Sequence, residues 1–230
     1  MPKLFFVKLK YVFGFILLLL IVDQTLKFWV KTHFHLYEEV QVIKPWFRLY
    51  FIENEGMAYG ATFGNGGWAK LALTLFRLGA VIFGTFYLVR IVREKYHKGF
   101  ILCAALIYAG AMGNLIDSLF YGMIFTASHR SDGFSQAFTG HGYAGFLHGS
   151  VVDMLYFPII DNKVLPGWIP IWGGKPFTFF QPIFNIADAC ISVGVISILL
   201  FQHKFFKKHR PVQEGEGETS SNVDKVEATQ

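Results

Sequence analysis

Charge is what this sequence has least of. Asp, Glu, Lys and Arg make up 16% of its 230 residues, against roughly 25% in an ordinary water-soluble domain. A surface facing water on all sides needs more, which argues against a soluble globular chain. Cysteine is nearly absent too. Cys103 and Cys190 are the only two and both sit inside apolar runs, which excludes a disulfide scaffold. Neither has a histidine near it in sequence, so inert packing is expected of both. Nucleophile-elbow, Walker A and dinucleotide-binding motifs are missing. His129, His141 and His148 share a segment with Asp132, but their spacing matches no zinc pattern. No metal and no cofactor are expected. Plentiful instead is apolar mass: 53% hydrophobic residues and 18% aromatic ones, with 26 Phe. That composition excludes a disordered chain.

Four apolar stretches reach the length of about 20 helical residues that a bilayer core requires. They run over about 11–29, 68–89, 100–121 and 186–206. Lys3, Lys8 and Lys10 ahead of the first resemble the start of a signal peptide. Its exit does not, since Asp23, Gln24, Lys27 and Trp29 stand where small cleavage-site residues would; a retained helix is expected. Basic residues then orient the spans. Lys3, Lys8 and Lys10 precede the first, and Arg90, Arg93, Lys95 and Lys98 separate the second from the third. Lys204, Lys207, Lys208 and Arg210 follow the fourth. These are 11 of the 21 basic residues, all on one side if the spans alternate. The positive-inside rule makes that side the cytoplasm, with both termini inside. The net charge of +5 is thus a topology signal, and nucleic acid is not an expected partner.

Two segments are left facing outward. In the first, the pattern Arg48-Leu49-Tyr50-Phe51-Ile52 suggests strands with a Gly-rich turn. The second, about 122–185, reads as a long, ordered, aromatic-rich loop, with Trp168 and Trp172 suited to the headgroup zone. Residues 211–230 read as a disordered cytoplasmic tail.

Ionisable residues in membrane spans are costly and mark function. On this topology Asp23, Asp117 and Asp188 fall near the outer ends of three spans, and Asp153 opens an apolar stretch of the second outer segment. Four carboxylates therefore lie at about one depth. Structural readings compete. Asp23 and Lys27 are an i,i+4 pair in the favourable order. Asn185 and Asp188 are placed to cap a helix. Asn114 and Asp117 share a face with Gly110 and Gly113, as in close helix packing. Asp153 has no such explanation. By elimination, Asp153 and Asp188 are the expected pair. Two carboxyls held close share one proton, so one activates water while the other donates to a carbonyl oxygen. Peptide hydrolysis at the membrane surface follows.

The motifs Asp23-Gln24-x-x-Lys27, Asn54-x-Gly56-x-Ala58, Gly110-x-x-Gly113-Asn114-x-x-Asp117, Val151-Val152-Asp153 and Phe184-Asn185-x-Ala187-Asp188 occur in this order on the four-span frame. Together they resemble signal peptidase II, the lipoprotein signal peptidase, a membrane aspartic protease. The resemblance implies removal of signal peptides from prolipoproteins, cut just before a cysteine that already carries diacylglycerol. It matches Asp153 and Asp188 to the catalytic pair. Asp23, Lys27, Asn54, Gly56, Ala58, Gly113, Asn114, Asp117 and Asn185 match residues that bind substrate or shape the site, with Asn54 placed to bond the substrate backbone. It also implies four transmembrane helices, a small extracytoplasmic β-cradle at about 32–67 and the long second loop. The place would be the cytoplasmic (inner) membrane, with the site near the outer leaflet. Expected partners are lipidated prolipoproteins and membrane lipids, and the expected state is a monomer.

Two departures from the family pattern stand out. Ser118 follows Asp117 where an Arg is usual, for which Arg130 is one replacement. Between Asp117 and Asp153 lie 35 residues, more than the compact pattern has, so about 122–150 is expected as an extra lid or loop over the site. Arg77, inside the second span, has no role on this reading beyond snorkelling or pairing with a helix neighbour. Two rival functions share some of these features: a small proton-coupled transporter, and a non-catalytic lipoprotein assembly factor.

Overall fold

A computed structural model of the chain describes residues 8–55, 67–158, 160–164, 166–168, 173–179 and 182–206. Gly56, Ala58, Trp172 and the tail 211–230 lie outside them.

Four helices are long and apolar enough to cross a membrane. They are α1 (Leu9–His33), α2 (Gly67–Arg93), α3 (Lys98–Ile116) with its continuation, and α5 (Ile186–Phe205). At 1.5 Å per residue, the 25 residues of α1 extend about 37 Å, more than the roughly 30 Å of hydrocarbon. Beyond Ile116, α3 widens into one π turn (Asp117–Tyr121) and closes with the single turn α4 (Gly122–Ile124). Leu17, Leu18, Ile21, Phe76, Phe83, Phe86, Leu199 and Leu200 are all more than half exposed. Such an apolar exterior suits lipid as the solvent.

Small residues bring α3 and α5 together. A Cβ on Gly110 would lie 2.2 Å from the Ala187 carbonyl oxygen, and one on Gly194 would lie 2.8 Å from that of Cys103; on the α1 side, one on Gly113 would lie 2.8 Å from Asp23 Oδ2. Without strong apolar attraction between helices in lipid, close backbone approach is what holds them. One apolar core, built on Val12, Ile16, Leu88, Ile91, Val92, Phe100 and Ile101, sits at the end of the bundle that carries Lys10, Arg93 and Lys98.

A second core at the other end joins Val30, Phe34, Tyr121 and Phe125 to Phe51, Val152 and Met154 of a sheet. That sheet is antiparallel, in the order β1-β2-β3-β6, from Glu39–Ile43, Phe47–Asn54, Val151–Tyr156 and Ile183–Phe184. Strands β4 (Ile160–Val164) and β5 (Pro176–Phe179) form a separate pair. The sheet is therefore wider than the segment 32–67, which supplies only two of its strands. The second long segment is not a loop throughout. Five of the six residues of β3 are buried. A strand covered on both faces shows no polar alternation, which is why Val151–Tyr156 did not read as one.

Residues 125–150 double back along the end of α3. Gly149 N–H donates to Ser118 O (2.9 Å), Leu147 N–H to Leu119 O (3.3 Å) and Ala144 N–H to Gly122 O (2.9 Å). The carbonyls released where the helix widens thus find donors in the insertion.

Gly110→Val, forcing a side chain into the Ala187 backbone, should cost about 3 kcal/mol and lower the unfolding midpoint in detergent by roughly 6–12 °C. Gly14→Ala, into open space, should leave it unchanged or raise it slightly.

Candidate active site

Lys27 is the organising residue. It lies on the inward face of α1, fully buried. Its ammonium pairs with Asp23 Oδ2 at 2.9 Å and Asp117 Oδ2 at 2.8 Å, and donates to Asn114 Oδ1 at 3.0 Å. A buried cation is tolerated only with partners of this kind. Both carboxylates then reach further. Asp23 Oδ1 accepts from Ala187 N–H (3.0 Å), at the start of α5. Asp117 Oδ2 accepts from Val152 N–H (3.4 Å), on β3. Gln24 completes this layer. Its Nε2 donates to Asp117 Oδ1 (2.8 Å) and its Oε1 accepts from Tyr121 OH (3.1 Å). The structural readings of Asp23 and Asp117 were thus each half the account: both pair and pack, and both belong to one polar network.

Asp153 and Asp188 meet the edge of that network through carboxamides. In the β2–β3 register Ile52 opposes Asp153 and Asn54 opposes Val151, so Asn54 is the diagonal neighbour of Asp153 on one face. Its Nδ2 donates to Asp153 Oδ2 at 3.1 Å. Asn185 Nδ2 donates to Asp153 Oδ1 at 2.6 Å. Asn185 also caps α5: its Oδ1 accepts from Asp188 N–H (2.9 Å), while Asp188 Oδ2 accepts from Asn185 N–H (3.4 Å). Asn114 Nδ2 donates to Asp188 Oδ1 at 2.8 Å. Asp188 therefore caps its helix with one oxygen and enters the network with the other. Asp153, which had no visible partner in sequence, has two.

Asp153 is almost fully buried, and its surroundings favour the proton. Burial first, then the charge of Asp188, push its carboxyl up to about 7, against the pull of the Asn54 and Asn185 bonds and of Lys27. A carboxyl that is half protonated at neutral pH can serve as acid or base.

Of the residues singled out in sequence, the structure gathers Asp23, Lys27, Asn54, Gly113, Asn114, Asp117, Asp153, Asn185 and Asp188 in this one place. Gly56 and Ala58 fall outside the described residues. Asn54, expected to bond the substrate backbone, stands beside Asp153, to which its Nδ2 donates. Arg130 does not take the place of an Arg at position 118: its guanidinium lies over the ring of Tyr37, 4.6 Å from the centroid. The side chain that does reach Ser118 is Arg77, whose Nη1 donates to Ser118 Oγ at 2.7 Å.

Sequence reasoning also missed Lys31, one turn beyond Lys27 on the same face of α1. It is fully buried, pairs with Glu53 of β2 and donates to Ser128 of the insertion at 3.1 Å. The spacing 23, 27, 31 was the available signal.

The comparisons with known proteins bear on this geometry. The family model described as signal peptidase (SPase) II matches residues 15–204. A lipoprotein signal peptidase of Porphyromonas gingivalis is 48% identical over 193 residues, covering 83% of this chain and 82% of the relative. The chain belongs to the signal peptidase II family. A lipoprotein signal peptidase of Amoebophilus asiaticus is 32% identical over 207 residues, covering 89% and 81%. Among solved structures, a bacterial membrane enzyme determined by the in meso method superposes with a TM-score of 0.55 at 22% identity. It covers 89% of this chain and 96% of that one, a likeness of fold. Family membership supports a protease that cleaves signal peptides of lipoproteins, in a multi-pass membrane protein.

Lys27→Ala should cost about 3–5 kcal/mol, because it leaves two buried carboxylates without their cation. Thermal unfolding in detergent measures this. A loss under about 1 kcal/mol would contradict the central place given to Lys27.

Proposed function

We propose that this signal peptidase is an aspartic endopeptidase in which Asp153 and Asp188 share one proton and activate water. The carrying observation is the setting of Asp153: buried, held by two neutral carboxamides, and raised to about 7 by burial and by the charge of Asp188. The ionised member of the pair removes a proton from water as its oxygen adds to the peptide carbonyl carbon. The protonated member donates to the carbonyl oxygen, giving a gem-diol. That diol then collapses: the C–N bond breaks, the nitrogen leaves with a proton from the pair, and a carboxylic acid and an amine remain.

The substrate on this reading is a prolipoprotein whose cysteine carries diacylglycerol, cut just before that cysteine. Buried acyl chains contribute about 0.8 kcal/mol per CH₂, enough to hold the cysteine at the depth of the two aspartates. The remaining assignments follow. Asp23, Lys27, Gly113, Asn114, Asp117 and Asn185 shape the site, and Gly56 and Ala58 join them on the motif resemblance. The sheet lies outside the cytoplasmic membrane, near the outer leaflet. Both termini are cytoplasmic, a reading supported by Lys10, Arg93 and Lys98 adjoining in sequence the apolar core at the opposite end of the bundle. The unit acts as a monomer against lipid.

Asp153→Asn and Asp188→Asn should each reduce cleavage of a lipidated prolipoprotein in membranes by at least about a thousandfold, at normal protein levels. Retained cleavage in either would overturn the reading. The pH dependence has a definite sign. The working pair holds one proton, and Asp153 loses its share as pH rises through about 7. The rate should therefore fall between neutral pH and pH 9; a flat or rising rate over that range contradicts a shared proton. An unlipidated precursor should be cut at least about a hundredfold more slowly, for want of buried acyl chains.

A further inference from the structure

One charged side chain of the spans is absorbed by none of this. Arg77 lies in α2, half-buried, and donates from Nη1 to Ser118 Oγ at 2.7 Å. The Ser118 hydroxyl in turn donates to Asn114 O at 2.9 Å. The Asn114 side chain bonds Asp188, so two residues link the guanidinium to the proposed pair. Among the described residues, Ser118 is the hydrogen-bond partner of Arg77. The other guanidinium nitrogens are not among the sealed, unsatisfied atoms of the interior. One hydroxyl is weak compensation for a cation in a span. Carboxylates lie just beyond that hydroxyl: Asp117 adjoins Ser118 in the chain, and Asn114, which Ser118 bonds, holds Asp188.

The charge count of the site explains why such a cation is useful. Among the described residues of α1 and α3, Asp23 and Asp117 both pair with one cation, Lys27. Lys31 of α1 is matched by Glu53 of β2. Lys70 of α2 faces Glu55 and Ser150. The pair on β3 and α5 adds one further negative charge when it holds one proton. Two excess negative charges would therefore lie close together in a site of low polarity. Such an excess drives carboxylates to take up a second proton.

We propose that Arg77, held by Ser118, is a positioning residue of the proteolytic site, supplying from α2 the positive charge that keeps the Asp153–Asp188 pair singly protonated. It stands in for the Arg that position 118 lacks. The assignment rests on the aspartic reading given above.

The test is the pH–rate profile for cleavage of a lipidated prolipoprotein by the full chain in membranes. Arg77→Gln removes the charge, so the pair binds protons more tightly and both limbs of the profile move to higher pH, by about one unit. The rate on the acid limb then drops by up to about tenfold, while on the alkaline limb, above neutral pH, it exceeds that of the unaltered enzyme by up to the same factor. Arg77→Lys keeps the charge and should return the profile to its original position. Ser118→Ala keeps every charge but loosens the tether, shifting the profile the same way by about half a unit. It decides the matter if Arg77→Gln does not accumulate. An equal loss at every pH, or an unmoved profile, overturns the role for Arg77. Cleavage retained by Asp153→Asn or Asp188→Asn overturns the aspartic reading instead, so the two failures are distinguishable.

Discussion

A single buried ammonium holds this molecule's parts in place. Lys27 cannot be desolvated without partners, and it takes them from two helices: Asp23 on its own, Asp117 and Asn114 on α3. The partners are themselves committed. Asp23 holds the first turn of α5 through Ala187, and Asp117 holds β3 through Val152. One charge thus sets the relative position of three spans and the central strand. That exceeds what apolar packing between lipid-exposed helices supplies, since lipid competes with every such contact. The glycines of α3 serve the same end, letting the backbones approach closely enough for these bonds to form.

The site divides its carboxylates by the kind of donor that holds them. Asp23 and Asp117 face a cation, which offsets their charge. Asp153 and Asp188 face carboxamides from Asn54, Asn185 and Asn114. A neutral donor orients a carboxyl without cancelling its charge, so burial and mutual repulsion still raise the proton affinity of Asp153. Orientation without neutralisation is what an acid–base group requires. Arg77 is intermediate: a full charge, tied to Ser118, acting on the pair at a remove.

The parts of this arrangement differed in how readily they could be read in advance. The four spans were legible because hydropathy accumulates residue by residue, and the observed helices overrun the expected ones by only a few residues at most ends. Strand β3 was hidden by burial on both faces. The π turn at Asp117–Tyr121 was hidden because the donors that meet its carbonyls, Leu147 and Gly149, come from about 30 residues further along the chain. Arg130 was offered for a role that falls to Arg77, although both were equally visible as cations. What separates them is that α2 passes Ser118, whereas the loop carrying Arg130 turns back toward Tyr37.

Which segments enter the bilayer, and which carboxylates are too costly there to be idle, depend on the transfer free energy of each residue. That is a property of one residue at a time, so it can be summed along the chain. Which amide meets which carboxylate depends on pairs. Asp23 finds Ala187 across 164 positions, and Asn54 finds Asp153 across 99. No local pattern encodes such a pair. Only the packing of helix on helix and strand on strand brings the two groups within bonding distance, and the proton affinity of Asp153 follows from that packing.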